Sequence, residues 1–351
     1  MRIAVLGGGH GAYAAAADLS EQGHEVRLWR RDANAFAPLL ATSAITLTDE
    51  RGTRPVKIAQ LFTSAGDAVR GAELVLMPGP ANSQLDITRA MVPQLAPGQV
   101  VFMPPGTFGS YAMAKVAEAR DVLWAETGTL PYLARKRGPA EVAITVRAVR
   151  LPTGVYPAKH AARALEVIGK AYPSVHGCGN ALSGALMNAG PIIHPPLILM
   201  NAAPLEHFER WDIHNEGTQP SVRAVTSKLD AERIAVREAL GLAAPHYPLA
   251  DHYSSDRWMY GDAHKKLVKS GDWREKIDLH HHRYMTEDVE LGLAFLVSVA
   301  RWARVPVPVA EGLLAMGGAI LGKDLLRGPR TLEALGLARY SREELFRMLD
   351  G

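Results

Sequence analysis

The 351-residue chain carries 39 basic and 36 acidic side chains, a formal charge of +3, with 48% hydrophobic and 21% charged residues. This mixture excludes an intrinsically disordered chain, and without a long basic block it argues against nucleic acid as a partner. The sole cysteine, Cys178, excludes an internal disulfide framework, while the length accommodates two packed domains.

The first apolar run, residues 3–6, predicts a strand that leads into Gly7, Gly9 and Ala12. Gly7 permits a tight turn, Gly9 lets backbone approach a phosphate, and small Ala12 stands where the usual fingerprint has its third glycine. A helix running to about residue 22 follows, and its open N-terminus offers N–H groups and a favourable dipole to an anion. Gly7, Gly9, His10, Gly11 and Ala12 are therefore the candidate cradle for a dinucleotide pyrophosphate. An ordinary glycine-rich turn uses the same residue types, but here a second strand, residues 24–29, completes the strand–helix–strand unit.

That second strand ends in Trp29, Arg30 and Arg31, with Asp32 only afterwards. An acidic residue at this place would hold the ribose 2′-hydroxyl of NAD, whereas guanidinium groups match a 2′-phosphate in charge and fork geometry. The pattern favours NADP(H) over NAD(H). Solvated arginines, or arginines stacked on adenine while Asp32 turns inward, also fit it, and the glycine fingerprint alone admits FAD.

Further along, residues 46–57, interrupted at 49–52, read as a hairpin or an excursion. Residues 74–77, 100–103, 121–124 and 143–149 read as further strands, implying a mostly parallel sheet covered by helices. Pro78-Gly79-Pro80-Ala81-Asn82 and Pro104-Pro105-Gly106-Thr107 fall at strand ends, where short loops contact a nucleotide; Pro80 and Thr107 are the candidates there. Proline-terminated strands account for them equally well.

After about residue 180 strand alternation gives way to predicted helices over 182–201, 222–240, 289–302 and 309–321. The expected organisation is a dinucleotide-binding α/β domain over 1–180 and a helical substrate domain over 181–351, joined between 177 and 184. A last helix is expected in 341–351, where Ser341 and Glu344 have capping-box spacing. The apolar stretch 191–205 carries four prolines, His194 and Asn201, and no basic n-region or cleavage site precedes the strand at residue 3. Neither a membrane span nor a signal peptide is expected, and a cytoplasmic location follows by elimination.

Candidate catalysts concentrate in the second half. His194, flanked by Gly190-Pro191 and Pro195-Pro196, fits either a hydrogen-bonded core residue or an acid/base held at a helix boundary. The run His280-His281-His282 lacks the one-turn spacing of a helical ligand pair, so no metal site is read from it. Arg283 suits a bidentate carboxylate clamp, and Asp288 suits the charge partner of a histidine brought from elsewhere. Thr286-Glu287-Asp288 also fits a helix start, with Thr286 as N-cap and the acids in the first turn.

Together these segments resemble the octopine/nopaline-type opine dehydrogenase family over nearly the whole chain. Glu126-Thr127-Gly128-Thr129-Leu130-Pro131-Tyr132 resembles its Glu-Thr…Leu-Pro-Tyr segment, Asn188…His194-Pro195 its catalytic-histidine segment, and Arg283-Tyr284-Met285-Thr286-Glu287-Asp288-Val289 its Arg-Tyr…Glu-Asp-Val segment. The resemblance implies a Rossmann-type domain followed by an all-helical domain, with chemistry in the cleft between them. It implies NAD(P)H-dependent reduction of the imine formed by a 2-oxo acid and an amino acid or other amine. His194 would transfer the proton, Asp288 would be its charge partner, Arg283 would meet the substrate carboxylate, and Glu126 joins the cofactor candidates. A homodimer stands as a candidate assembly. The Arg30-Arg31 pair departs from the acidic strand end expected for NADH use, and residues 211–217 and 228–233 identify no substrate. The rival reading is a 2-oxoacid or ketopantoate-like reductase acting without an amine, with a lysine among Lys159, Lys228, Lys265 and Lys266 polarising the carbonyl. A nucleotide-binding redox sensor is the non-enzymatic reading.

Overall fold

The short apolar runs of the first half become the central strands of one sheet. In this computed structural model, residues 1–118, 121–271, 273–274 and 276–351 are described. By its contacts the chain divides into one unit of Met1–Gly184 with Asp350–Gly351 and another of Ala185–Leu349.

The first unit holds β1 (Arg2–Leu6), β2 (Glu25–Trp29), β3 (Ala44–Asp49), β4 (Gly52–Lys57), β5 (Gln60–Phe62), β6 (Leu74–Leu76), β7 (Val100–Met103), β8 (Leu123–Thr127), β9 (Tyr132–Gly138), β10 (Glu141–Arg147), β11 (Leu151–Tyr156) and β12 (Val175–Asn180). Eight of them form a sheet in the order β12-β11-β8-β7-β6-β1-β2-β5. Every pairing in it is parallel except β11 with β8. The registers Ile3↔Val26, Ile3↔Leu74 and Leu74↔Val100 align the apolar runs side by side, and their ends bring the glycine turn and the two Pro/Gly loops to one edge.

A second sheet, β4-β3-β10-β9, was not legible as such. The hairpin expected over 46–57 is β3–β4, paired from Ala44↔Lys57 to Asp49↔Gly52, while residues expected as a later strand of the main sheet form β10 here. The first helix, His10–Glu21, packs against β1 and β2 on one side and β9 and β10 on the other. That explains its run Ala14-Ala15-Ala16-Ala17, buried all round: only small side chains let two sheets approach one helix. An ion network of Arg147 with Asp18 and Asp49 at 2.8 and 2.7 Å ties the helix to β3 and β10.

The helix expected over 182–201 is two, Ala181–Ala185 at the end of the first unit and Gly190–Leu199 in the second. Pro191 stands in the first turn, where a missing N–H costs nothing, and the Asn188 side chain accepts from the Gly190 N–H at 3.0 Å. Helices Pro220–Ala239, Ala294–Trp302 and Pro308–Leu321 match the predicted apolar stretches. The segment expected to begin near Thr286 instead begins at Tyr284 as a π-helix, Tyr284–Leu293. Thr286 lies inside it, its hydroxyl donating back to the His282 carbonyl at 3.4 Å, so the helix-start reading of Thr286-Glu287-Asp288 is corrected. The tail forms Arg342–Asp350 with the expected capping box: Glu344 N donates to Ser341 Oγ at 3.2 Å and Ser341 N to Glu344 Oε2 at 2.8 Å. Among the described residues no helix is long and apolar enough to cross a membrane.

Candidate active site

At the end of β1 the turn is shaped by sterics. Gly7 has φ +148°, its N–H donates to the Trp29 carbonyl at 2.9 Å, and a Cβ on it would stand 3.3 Å from that of Ala12. A Cβ on Gly9 would meet nothing within 4 Å, and Gly9 caps the helix with no side chain to satisfy the first N–H groups. Open space over uncapped donors is what a pyrophosphate requires, so the cradle fits a dinucleotide. Gly11 serves packing instead, since a Cβ there would press on Leu130 and the Pro78 carbonyl at 2.9 and 3.1 Å. His10 turns toward β9, its Nδ1 accepting from the Lys136 backbone N–H at 2.8 Å.

The three residues after Trp29 part company. Asp32 caps the next helix, Ala33–Thr42, accepting from Ala35 N at 3.0 Å, which leaves it committed to backbone. Arg31 is exposed and lies 3.4 Å from Asp86. Arg30 folds back across Gly8, where a Cβ would fall 2.6 Å from its Nε, and donates to Tyr13 Oη at 3.1 Å and the Ala35 carbonyl at 2.9 Å. Sequence reading missed Lys136, whose Nζ reaches the Gly8 carbonyl at 3.3 Å from 128 residues away. No local motif marks such a residue.

The loop after β7 is held from beneath. Thr107 and Phe108 have φ +55° and +59°. Glu126, fully buried, accepts from Phe108 N at 2.8 Å, from Ser110 N at 3.2 Å and from the Ser110 hydroxyl. Gln84 Nε2 donates to the Gly106 carbonyl at 2.9 Å and links this loop to the turn at Pro80. Glu126 thus acts through the shape of the Thr107 turn; its carboxylate is turned into the protein rather than toward a nucleotide. The same motif's Tyr132 donates to Asp18 at 3.0 Å.

In the helical unit, two residues 94 apart in sequence meet: His194 Nδ1 lies 2.7 Å from Asp288 Oδ2. Gly190–Leu199 carries the histidine and the π-helix the carboxylate, and both surfaces are pared down for the approach. A Cβ on Gly190 would collide with Asp288 Oδ1, and one on Gly292 with Pro191. The imidazole keeps 13% of its side-chain surface, against 2% for Asp288. Tyr284 stacks on it with ring centroids 3.6 Å apart, and His214 stands edge-on at 6.4 Å. Neither aromatic neighbour was read from the sequence, although Tyr284 lies four residues, about one turn, before Asp288.

Burial pushes the Asp288 carboxyl up to about 7, against the pull of Arg283 and His282. A raised carboxyl at 2.7 Å from Nδ1 leaves the proton of this hydrogen bond close to both groups. Nδ1 is the ring nitrogen turned to the carboxylate, and Nε2 lies on the opposite side of the ring. Half-buried Arg283 sits beside the pair, Nε 3.5 Å from Glu287 and its guanidinium 5.5 Å from the Tyr284 ring centroid. Burial works against its charge, and the carboxylates of Glu287 and Asp288 more than offset this, holding it firmly cationic. The histidine run disperses: His281 pairs with Asp278 at 2.8 Å, and His282 packs edge-on against Tyr284. No metal-ligating cluster occurs among the described residues.

Comparison with known proteins now decides the family. Residues 177–321 match the family model described as "NAD/NADP octopine/nopaline dehydrogenase, alpha-helical domain". The opine dehydrogenase of Arthrobacter sp. (strain 1C) is 30% identical over 347 residues, 95% of each chain. The chain belongs to the opine dehydrogenase family. Among solved structures, octopine dehydrogenase in complex with NADH and agmatine superposes with a TM-score of 0.74 at 17% identity, covering 100% of this chain and 98% of that one. Yersinopine dehydrogenase with NADP+ bound gives 0.67 at 17% identity, covering 100% and 98%. This opine dehydrogenase family member is an NAD(P)-dependent oxidoreductase with the Rossmann-like sheet and the α-helical domain of that fold. The lysines required by the rival carbonyl-reductase reading, Lys159, Lys228, Lys265 and Lys266, are all exposed.

Proposed function

We propose that this enzyme reduces the imine formed when an amino acid, or another amine, condenses with a 2-oxo acid, giving a secondary amine. The His194–Asp288 pair at 2.7 Å is the observation that carries the reading. Condensation releases water and leaves a carbon–nitrogen double bond, which accepts hydride better once its nitrogen is protonated. A nicotinamide cofactor, when held at the Gly7–Ala12 turn, would supply that hydride. His194, through Nε2, supplies the proton at nitrogen; in the reverse direction it removes one. Asp288 fixes the tautomer through Nδ1 and balances the imidazolium charge. Arg283 holds a substrate carboxylate in a two-pronged grip, which orients the reacting carbon.

Gly7, Gly9, Ala12 and the first-turn N–H groups near His10 and Gly11 take the pyrophosphate, while the Pro80 and Thr107 turns border the nucleotide. Arg30 supports NADP(H) as the preferred cofactor. A cytoplasmic location belongs to the same proposal, supported by Cys178 as the sole cysteine of the chain. The test is oxidation of NADPH and NADH with a panel of 2-oxo acids, with and without amines, and mass analysis of the product. Amine-dependent turnover and a secondary-amine dicarboxylate are expected with amino acids; equal rates without amine would assign the enzyme to carbonyl reduction.

A further inference from the structure

Two cations converge on Gly8 from separate sheets. Arg30 leaves the end of β2 and lies across the turn, and Lys136 leaves β9 with its Nζ 3.3 Å from the Gly8 carbonyl. Tyr13 joins them: the ammonium lies 3.9 Å from its ring centroid, and its hydroxyl accepts from Arg30 Nη1 at 3.1 Å. Among the described residues, neither cation has a carboxylate within ion-pair distance. Elsewhere in this unit, cations in comparable surroundings are paired, as Arg147 is with Asp18 and Asp49.

Half-buried like charges held together without an anion are costly, and an anion relieves both at once. Burial and the Arg30 charge lower the Lys136 ammonium to about 8, the sign expected of an uncompensated site. Tyr13, on the first helix, faces the ammonium, whereas the neighbouring His10 ring is engaged with the Lys136 backbone N–H. Gly8 lies between the pyrophosphate cradle and the end of β2, where the adenosine ribose of a dinucleotide sits in this kind of unit.

We propose that Lys136, rather than Arg31, is the partner of Arg30 in gripping the 2′-phosphate of NADP(H), and so determines cofactor choice. This rests on the dinucleotide reading of the glycine turn. Arg31, already beside Asp86, contributes little.

The test is equilibrium binding of NADPH, NADH and 2′,5′-ADP to the full-length protein, followed by nucleotide fluorescence and calorimetry. Lys136→Gln should weaken NADPH and 2′,5′-ADP by about 10- to 100-fold, the range of one charge-assisted contact, and leave NADH within about twofold. Lys136→Arg should restore most of the NADPH affinity, and Arg31→Ala should change little. At pH 8, NADPH binding to the wild type should take up a fraction of a proton that NADH binding does not, and Lys136→Arg should abolish that uptake. Equal losses for both cofactors in Lys136→Gln, or a selective loss in Arg31→Ala instead, would overturn the assignment. Failure of the wild type to bind either cofactor would instead overturn the dinucleotide reading itself.

Discussion

The glycine turn and the His194–Asp288 pair are built in opposite ways. The turn lies within six consecutive residues, Gly7 to Ala12, and its geometry follows from local sterics: a positive φ, a small residue at close approach, an uncapped helix. The pair joins residues 94 apart and exists only because Gly190 and Gly292 let two helices touch. Local construction makes a site readable and tolerant of distant change. Long-range construction makes it dependent on packing, so its chemistry can be lost through residues that contact no substrate.

Substitutions can separate the two. The largest effect is expected for His194→Ala, which should lower turnover by about 10²–10⁴ while NADPH affinity stays within a few-fold. Loss of nucleotide affinity instead would show that the two sites are not independent. Gly9→Val should do the converse, filling the open space over the helix start. Overpacking of this kind costs about 1–3 kcal/mol, a weakening of roughly 5- to 150-fold for NADPH and NADH alike. Unchanged affinity in a folded variant would refute the cradle.

Gly190→Ala sharpens the contrast further. Its methyl group contacts no substrate but displaces the Asp288 carboxylate, so a fall in kcat of about tenfold is expected, with KM for the cofactor unchanged. A normal kcat, with thermal denaturation showing a native fold, would mean that Asp288 is not positioned from this side.

The smallest effect concerns pH and stability. Because burial raises the Asp288 carboxyl to about 7, folding favours its protonated form. The stabilisation is fully present below the unfolded value near 4 and is lost as pH rises through about 7. Asp288→Asn has no charge to bury, so its melting temperature relative to the wild type should rise between pH 4.5 and 8. Parallel curves over that range would show that the carboxylate is ionised throughout, as one arm of a permanent ion pair with the imidazolium.

Several features were legible without coordinates, for reasons specific to each. The parallel strands announce themselves as apolar runs broken by Pro and Gly, and the capping box at Ser341 and Glu344 is a four-residue signal. The second sheet was not legible, because its closure depends on β10 pairing with β3, almost 100 residues earlier. Glu126 was read as a cofactor-site candidate from the resemblance; that its carboxylate is buried and accepts from Phe108 and Ser110 was not legible. Lys136 carries no motif at all, and the motif that contains Tyr284 does not say that its ring stacks on His194.

By itself, then, the sequence determined the strand–glycine–helix unit and the order of its two units, and it nominated His194, Arg283 and Asp288 as chemically able side chains. These depend on backbone sterics and on periodicity, which act over a few residues. Tertiary structure alone decided that His194 and Asp288 meet at 2.7 Å, that Tyr284 stacks on the imidazole, and that Lys136 lies with Arg30 at Gly8. Such pairings depend on helix approach and sheet order. A distance of a few ångströms between residues a hundred positions apart leaves no local trace in the chain.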